Sequence, residues 1–533
     1  LPATTVTSMD RGDIVTVPGA RYACVRLAKN HNCGREYFHI TCDKTLRLHA
    51  YSQKPVMVLD NGPLCTLMKK RAGVTPKVVN VFGNESVGLC IQHHRRVFAV
   101  MDSENQFPVS GEDVEHVIEA LNLKVERFVP RKDVVLFYGY EHHPVRNQTV
   151  ENIPAIVQFT GGNFGNAVWE YGVFNMLNSY STRIISVRRV IHAADVNALL
   201  QSSGFVRPDA VIVAHANVFW SANRPRQSGP AAQIGQLVDQ LIAFDGTGVS
   251  VPAALMGIGV QIEFEGDHVE DPLANFVTTP PQTNLLKLLV SKSRQEVPNI
   301  SVRGAVTSAM CKKAGVDACM PLGCPSFMIS PHANLGMHVQ KRWVGLAGKI
   351  TSGQPIKIIF TVQSEANFGL YDIWISLLNN PQYTCVFVLQ TPGDIPHLRV
   401  VEQRLGRPVD MKLFYSLDDW TAEYATADII LSARIHGTMV ATASRTPFFL
   451  IATDFRILEL ANAMKIPYVM STEVAKWKDN FQLIDLISQV NFNGSAFDSA
   501  RTAAALKYVN MLNSLGLESN LDMEIVAFSR SHL

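Results

Sequence analysis

The chain has 533 residues, 47% of them hydrophobic and 18% charged, with a formal net charge of +2. That length exceeds one ordinary core, so three domains, or two with a large extension, are expected. The near-balanced charge excludes a general nucleic-acid binder, which carries a basic stripe. No apolar run reaches the roughly 20 residues a membrane helix needs; the best, 249 to 262, is broken by Pro252 and by glycine and glutamine.

Residues 1–150 lack strand-helix alternation. Short apolar runs such as Val56–Leu59, Val78–Phe82, Arg96–Val100 and Val134–Tyr138 lie between Gly, Asn and Pro turns, which predicts a β-rich N-terminal extension. Five of the nine cysteines (Cys24, Cys33, Cys42, Cys65 and Cys90) fall here without a Cys-x-x-Cys, a pattern closer to a disulfide-bearing module than to a metal site. Sequons stand at Asn84, Asn147, Asn299 and Asn493, and the chain begins at Leu1, which leaves room for a leader or anchor ahead of it. These features favour the lumen of the secretory pathway or secretion, with the cytoplasm as the alternative.

From 151 the pattern changes. The run Ile153–Phe159 reads as a buried strand, followed by the glycine-rich Gly161–Asn166 and an amphipathic helix through Trp169, Val173 and Leu177. A glycine-rich turn between strand and helix is an arrangement that cradles phosphate, although this spacing is no nucleotide fingerprint. Further strands are predicted at Thr182–Ser186, Ala210–Val213, Ala253–Gly259 and Ile300–Gly304, with helices at 194–201, at 234–243 and through Met310. A second alternating set begins after the Gly, Ser and Pro of 345–355, with strands at Ile356–Val362, Cys385–Leu389, Ile429–Leu431 and Phe448–Ile451. The expected organisation is a β-rich extension (1–150), a first Rossmann-like domain (151–345), a second (346–480) and a C-terminal helical segment (481–533). Alternation of this kind implies parallel sheets with both faces covered, and ligands bind outside the carboxyl ends of their strands.

One such strand end carries Arg434-Ile435-His436-Gly437 and turns directly into a helix. The arginine is a permanently charged fork suited to carboxylate or phosphate, and the histidine can move a proton near neutral pH. Gly437 would let a ligand approach the backbone, and the helix N-terminus offers free amides to an anion. The competing reading is that the motif serves only domain packing.

In their order along the chain, over roughly residues 151 to 475, these segments resemble the polysaccharide pyruvyl transferase family. The resemblance rests on Leu431–Ala441, Arg445-Thr446-Pro447-Phe448 and Asp454-Phe455-Arg456, with support from Gly257–Gln261, Ser301–Gly304 and Gly323–Ser326. It implies an α/β fold of two doubly wound Rossmann-like domains facing a cleft, like one major glycosyltransferase class (glycosyltransferase-B-like). The implied activity is transfer of pyruvyl from phosphoenolpyruvate to two hydroxyls of a glycan, giving a ketal and phosphate. Phosphoenolpyruvate is then a donor substrate, with no separate cofactor and no metal.

The resemblance assigns His436, Arg434 and Arg303 to catalysis. Two arginines can hold the donor's carboxylate and phosphate by forked bonds, and His436 is expected as the general acid toward the methylene carbon. Substrate contacts are expected at Gly162, Asn163, Gly165, His215, Gly437 and Glu365. For several of these a plainer role competes: His215 as a hydrogen-bonded structural histidine, Glu365 as a helix cap. Cys324 reads as a small buried residue in a proline turn, and Asp454 with Arg456 as a lid on the site or a strut between domains. The chain departs from the family at Asn166 and at Ala214–Asn217, which bears on the acceptor side. Partners expected are phosphoenolpyruvate and a glycan acceptor, and self-association into a homo-oligomer stays open. Two other readings remain: a glycosyltransferase with a nucleotide-sugar donor, or a secreted or assembly protein that kept the fold without catalysis.

Overall fold

The computed structural model describes the backbone of seven strands among the first 131 residues. It also describes 132–137, 163–177, 182–187, 198, 207–215, 219–221, 228–245, 249–262, 273–330, 332–362, 370–414, 416–476, 481–489, 492–521 and 525. The predicted strand Ile153–Phe159, Gly162 and Glu365 lie outside the described residues, as do the side chains of the five N-terminal cysteines.

The chain divides into two compact units, 1–131 with 141–144, and 132–140 with 145–533. The first holds β1 (Tyr22–Asn30), β2 (Arg35–Thr41), β3 (Thr45–Leu48), β4 (Lys77–Phe82), β5 (Gly88–His93), β6 (Arg96–Asp102) and β7 (Lys124–Val125) in one sheet of order β3-β2-β1-β6-β5-β4-β7. Its pairings are antiparallel apart from β4 with β7.

The second unit contains two lobes. The sheet of the first comprises β8 (Lys132–Phe137), β9 (Thr182–Val187), β10 (Ala210–Ala214), β12 (Ala253–Ile258), β14 (Ile300–Val302) and β15 (Cys319–Pro321), in the order β15-β14-β12-β10-β8-β9. Every pairing is parallel. A two-stranded parallel pair, β11 (Phe219–Trp220) with β13 (Val260–Gln261), lies beside it in sequence. β10 and β12 are buried at every position, as apolar runs covered on both faces must be. This corrects one expectation. The run from Val134, assigned above to the extension, is β8 and stands between β9 and β10 inside the parallel sheet. Six residues with four consecutive buried apolar side chains read equally as a short extension strand or a central one.

The second lobe is built on β16 (Ile356–Thr361), β17 (Tyr383–Leu389), β18 (Asp410–Leu413), β19 (Ile429–Ser432), β20 (Phe448–Ala452) and β21 (Tyr468–Met470). Their order is β18-β17-β16-β19-β20-β21, again wholly parallel. This is the doubly wound order in which strand direction of growth reverses between the first and fourth strands, here β16 and β19. Residues 345–351, part of the stretch expected to mark the boundary between the two alternating sets, belong to the helix Leu335–Thr351. Gly345 and Gly348 point into open space on its outer side, so they weaken the helix without ending it, while Trp343, Leu346 and Ile350 bury the inner side.

Three apolar clusters fill the unit. One face of the first sheet packs with residues between Val135 and Cys319, and one face of the second with residues between Trp343 and Ile487. The remaining faces of both sheets share a third cluster, sealed by Phe497, Tyr508, Leu512, Leu521 and Ile525. The predicted C-terminal segment is therefore part of the lobes. Its helix Gly494–Ser514 returns to the first lobe, where the fully buried Arg501 donates to the carbonyls of Phe327, Ser330 and His332. Asp498 accepts from the amides of Gly336 (2.7 Å) and Met337 (3.0 Å).

Of the four sequons, Asn299 is buried at 1% exposure and donates to the carbonyls of Ala253 and Leu289, so it is closed to glycosylation in the folded chain. Asn493 is exposed and caps the returning helix through the Ala496 amide.

Replacing Arg501 by leucine leaves the buried carbonyls of Phe327 and Ser330, and that of the exposed His332, without this donor. It should lower stability in urea unfolding by roughly 2 kcal/mol or more, each buried orphaned group costing about 1–3 kcal/mol.

Candidate functional site

The site forms where strand ends of the two lobes meet, and glycines set how closely they come. Gly257 has φ +81°, and a β-carbon on it would lie 2.4 Å from the Pro325 ring. Two residues on, a β-carbon at Gly259 would lie 2.2 Å from Cδ of Arg303. The Gly257-Ile258-Gly259 strand end thus makes room first for the Cys324-Pro325 turn and then for the Arg303 side chain. Arg303 follows β14 directly, with its amide on the Ile258 carbonyl at 2.9 Å, and is 6% exposed. Burial, then the charge of Arg456, pulls its pKa down to about 10, against the opposing pull of Cys324, Glu459 and Asp454. It is still a cation at neutral pH.

From the other lobe, β19 ends at Ser432 and the helix Ile435–Ala443 begins after Arg434. His436 lies in the first turn of that helix, with Nε2 4.0 Å from Sγ of Cys324. Burial, then Arg303, then Arg434 push its pKa down to about 3, so the imidazole is neutral over the physiological range. His215, immediately after β10, is pushed to about 3 by burial and by Arg303. Arg303 therefore sits within electrostatic reach of both histidines, and the structure brings these three expected residues together.

Arg434 behaves differently. Its Nη2 is 2.6 Å from Oδ1 of Asp394, which is 0% exposed, and its Nε donates to the Val362 carbonyl. The other Asp394 oxygen accepts the amides of Gln390 (2.8 Å) and Thr391 (3.0 Å). Much of the fork expected to hold a ligand is committed to joining the ends of β16, β17 and β19. The packing alternative for this motif accordingly describes Arg434 well. Gly437 is also needed internally: a β-carbon there would lie 2.5 Å from Oγ1 of Thr361 and 2.9 Å from Oγ of Ser432. The need for glycine at 437 comes from contact between helix and strand, which replaces ligand approach as its cause.

Asn163 and Gly165 do reach the site. Asn163 Oδ1 accepts the Gly165 amide at 2.8 Å at the start of the helix Gly165–Met176. A β-carbon on Gly165 would stand 2.9 Å from Asn163 Oδ1, 3.0 Å from His436 Nδ1 and 2.3 Å from Gln390 Oε1.

Two further acidic residues hold the surroundings. Asp454 caps Ile457 at 3.0 Å and pairs with Arg456 at 2.5 Å, while Arg456 reaches Gln261 of the first lobe at 2.7 Å, so the pair is a strut across the lobes. Glu459, which the sequence reading passed over, is 5% exposed and accepts Thr307 N at 2.7 Å and Oγ1 at 2.9 Å. It crosses from the second lobe to satisfy the first turn of the helix Ala305–Lys313 beside Arg303, and burial raises its pKa. A lone Glu inside a helix 152 residues from its partner leaves no local sequence signal. Among the described residues, no group of three or more His, Cys, Asp or Glu could hold a metal ion, and no helix is long and apolar enough to cross a membrane.

Residues 243–455 match the family model described as polysaccharide pyruvyl transferase, a span that includes Arg303, Arg434 and His436. No curated protein matches the chain. Similar solved structures include UDP-GlcNAc 2-epimerase from Neisseria meningitidis bound to UDP-GlcNAc, with 10% identity and a TM-score of 0.36 over 71% of this chain and 100% of that one. HepE from Anabaena in complex with UDP-glucose gives 11% identity and a TM-score of 0.34 over 76% and 100%.

Both histidines have folded pKa values near 3 against an unperturbed 6.5, so the unfolded chain binds their protons first as pH falls. Their stabilising effect is present above pH 6.5 and lost progressively toward pH 3, at no more than about 1.4 kcal/mol per pH unit for each histidine. Unfolding measured between pH 7 and 4 should show a shallower acid loss in His436→Gln and His215→Gln than in the parent chain.

Proposed function

We propose that the protein transfers pyruvyl from phosphoenolpyruvate to two hydroxyls of a glycan acceptor, within the polysaccharide pyruvyl transferase chemistry its family match indicates. The observation that carries this reading is the approach of a buried guanidinium, Arg303 of the first lobe, to a half-buried neutral imidazole, His436 of the second.

Phosphoenolpyruvate carries a carboxylate and a phosphate close together, and Arg303 is the cation placed to bind them by charge-assisted bonds. Arg434, held by Asp394, supplies positive potential and fixes the turn that presents His436. A neutral imidazole starts the cycle as a base. It takes the proton of the first sugar hydroxyl, and the imidazolium passes that proton to the methylene carbon, which becomes methyl; C2 is thereby made electrophilic and the deprotonated sugar oxygen bonds it. The bond from C2 to the phosphate oxygen then breaks, the second hydroxyl closes the ketal, and phosphate leaves with its proton. The charge of the bound donor offsets that of Arg303 and raises the imidazole pKa when the proton has to be held. General acid-base transfer of this kind contributes typically about a hundredfold to ten-thousandfold.

The test is to incubate the protein with phosphoenolpyruvate and a panel of glycans and to follow phosphate, with nucleotide sugars and UDP release as the parallel arm. Acceptor-dependent phosphate release is expected; its absence with every acceptor, or UDP release instead, would overturn the reading. His436→Gln should reduce kcat by a factor of about a hundred or more. Arg303→Lys, which keeps the charge but loses the fork, should raise the KM for phosphoenolpyruvate at least about tenfold.

A further inference from the structure

Gln390 follows β17 and is wholly buried, and its backbone is held on both sides. The amide donates to Asp394 at 2.8 Å, and the carbonyl accepts the Phe164 amide of the first lobe at 2.8 Å. Its side chain, in contrast, pairs with nothing among the described residues: neither Nε2 nor Oε1 has a hydrogen-bond partner there. Gln240, in the helix Ser228–Ala243 away from the strand ends, shares this state, whereas the buried amides nearer the lobe interior are paired. Asn175 donates to the Met328 carbonyl at 2.9 Å, and Gln282 accepts from the Thr279 amide at 2.7 Å and donates to the Trp220 carbonyl at 2.9 Å. An unpaired buried amide is costly and calls for an explanation, and what sets Gln390 apart from Gln240 is its place beside His436.

The place it occupies says what that is. Gln390 Oε1, Asn163 Oδ1 and His436 Nδ1 all lie within 3.0 Å of the point where Gly165 lacks a β-carbon, at the start of the helix Gly165–Met176. The helix has no acidic residue in its first turn. Arg303 and the strut of Arg456 with Asp454 lie toward Cys324 and Gln261, while Arg434, the cation on the Gln390 side, has its charge met by Asp394.

We propose that Gln390 contacts the acceptor, reading a hydroxyl of a neutral sugar held against His436 Nδ1. A carboxamide offers one donor and one acceptor edge without charge, the complement of a hydroxyl that both gives and takes a hydrogen bond. It has no advantage for a multiply charged donor, which the arginine side suits. The assignment of that sugar as an acceptor rests on the pyruvyl-transfer reading; the binding itself does not.

Gln390→Leu keeps the shape and removes both unpaired atoms, and Gln390→Glu keeps the size and the acceptor edge alone. The thermal midpoint of each full-length variant without ligand is compared with that of the parent chain. Binding of methyl α-D-glucopyranoside, galactopyranoside and mannopyranoside is measured by calorimetry, and phosphoenolpyruvate binding by its thermal shift. The expected result for Gln390→Leu is a midpoint unchanged or raised, sugar affinity reduced at least tenfold, and an unchanged phosphoenolpyruvate shift. A lowered midpoint with unchanged sugar affinity would assign Gln390 to the fold and overturn the proposal. So would loss of the phosphoenolpyruvate shift with sugar binding intact, or failure of the parent chain to bind any of the three sugars. If the parent chain binds sugar but not phosphoenolpyruvate, the donor assignment fails while Gln390 keeps its role. Should Gln390→Leu not fold, Gln390→Glu gives the same comparison, with a sugar loss expected and the donor shift retained.

Discussion

The second lobe depends on one guanidinium. Arg434 binds Asp394 and the Val362 carbonyl together, and Asp394 in turn holds the amides of Gln390 and Thr391. Three strand ends are thereby locked at the point where the order of the sheet reverses. Removing one partner of such a buried pair is expensive, because the other charge is left without water or counterion. His436 on one side of the clamp and Gln390 on the other inherit their positions from it, so the clamp acts on the chemistry without having to touch the ligand.

The lobes meet through a comparable economy of contacts. Glu459 supplies the carboxylate that the helix Ala305–Lys313 lacks in its own first turn, and its Cγ fills the space above Gly304. Arg456 reaches Gln261, and Phe164 donates to Gln390. Each of these bonds ends beside Arg303, His436 or Gly165, so closure of the lobes and assembly of the site are one event.

Much of this was legible in the sequence, and what was missed shares a cause. Apolar runs such as Ala210–Val213 and Ile429–Leu431 are buried on both faces, and their period-free pattern shows it. His215 stood out at a predicted strand end, and Arg303 and His436 through the family resemblance; all three lie just beyond parallel strands, whose ends converge. Arg434 was read as a ligand fork because its own segment shows only a charge at a strand end; the acid that claims it lies 40 residues away in a short turn. Gln390 looked like any polar residue after a strand, since an unmet hydrogen bond is a property of the packed interior alone. The glycines of 345–355 read as a boundary, yet tertiary burial of Trp343, Leu346 and Ile350 carries a helix through Gly345 and Gly348.

The third apolar cluster has a consequence for the order in which the chain can fold during synthesis. The second sheet has one face whose core lies wholly between Trp343 and Ile487, a continuous stretch that can consolidate as it emerges. The first lobe has no such independence on its shared face. Val134 and Leu136 of β8 belong to one cluster with Tyr508, Leu512 and Leu521, almost four hundred positions later, so that cluster is complete only once the end of the chain has arrived. Before then the first lobe shows part of its apolar interior to solvent, the condition in which a growing chain is most open to aggregation.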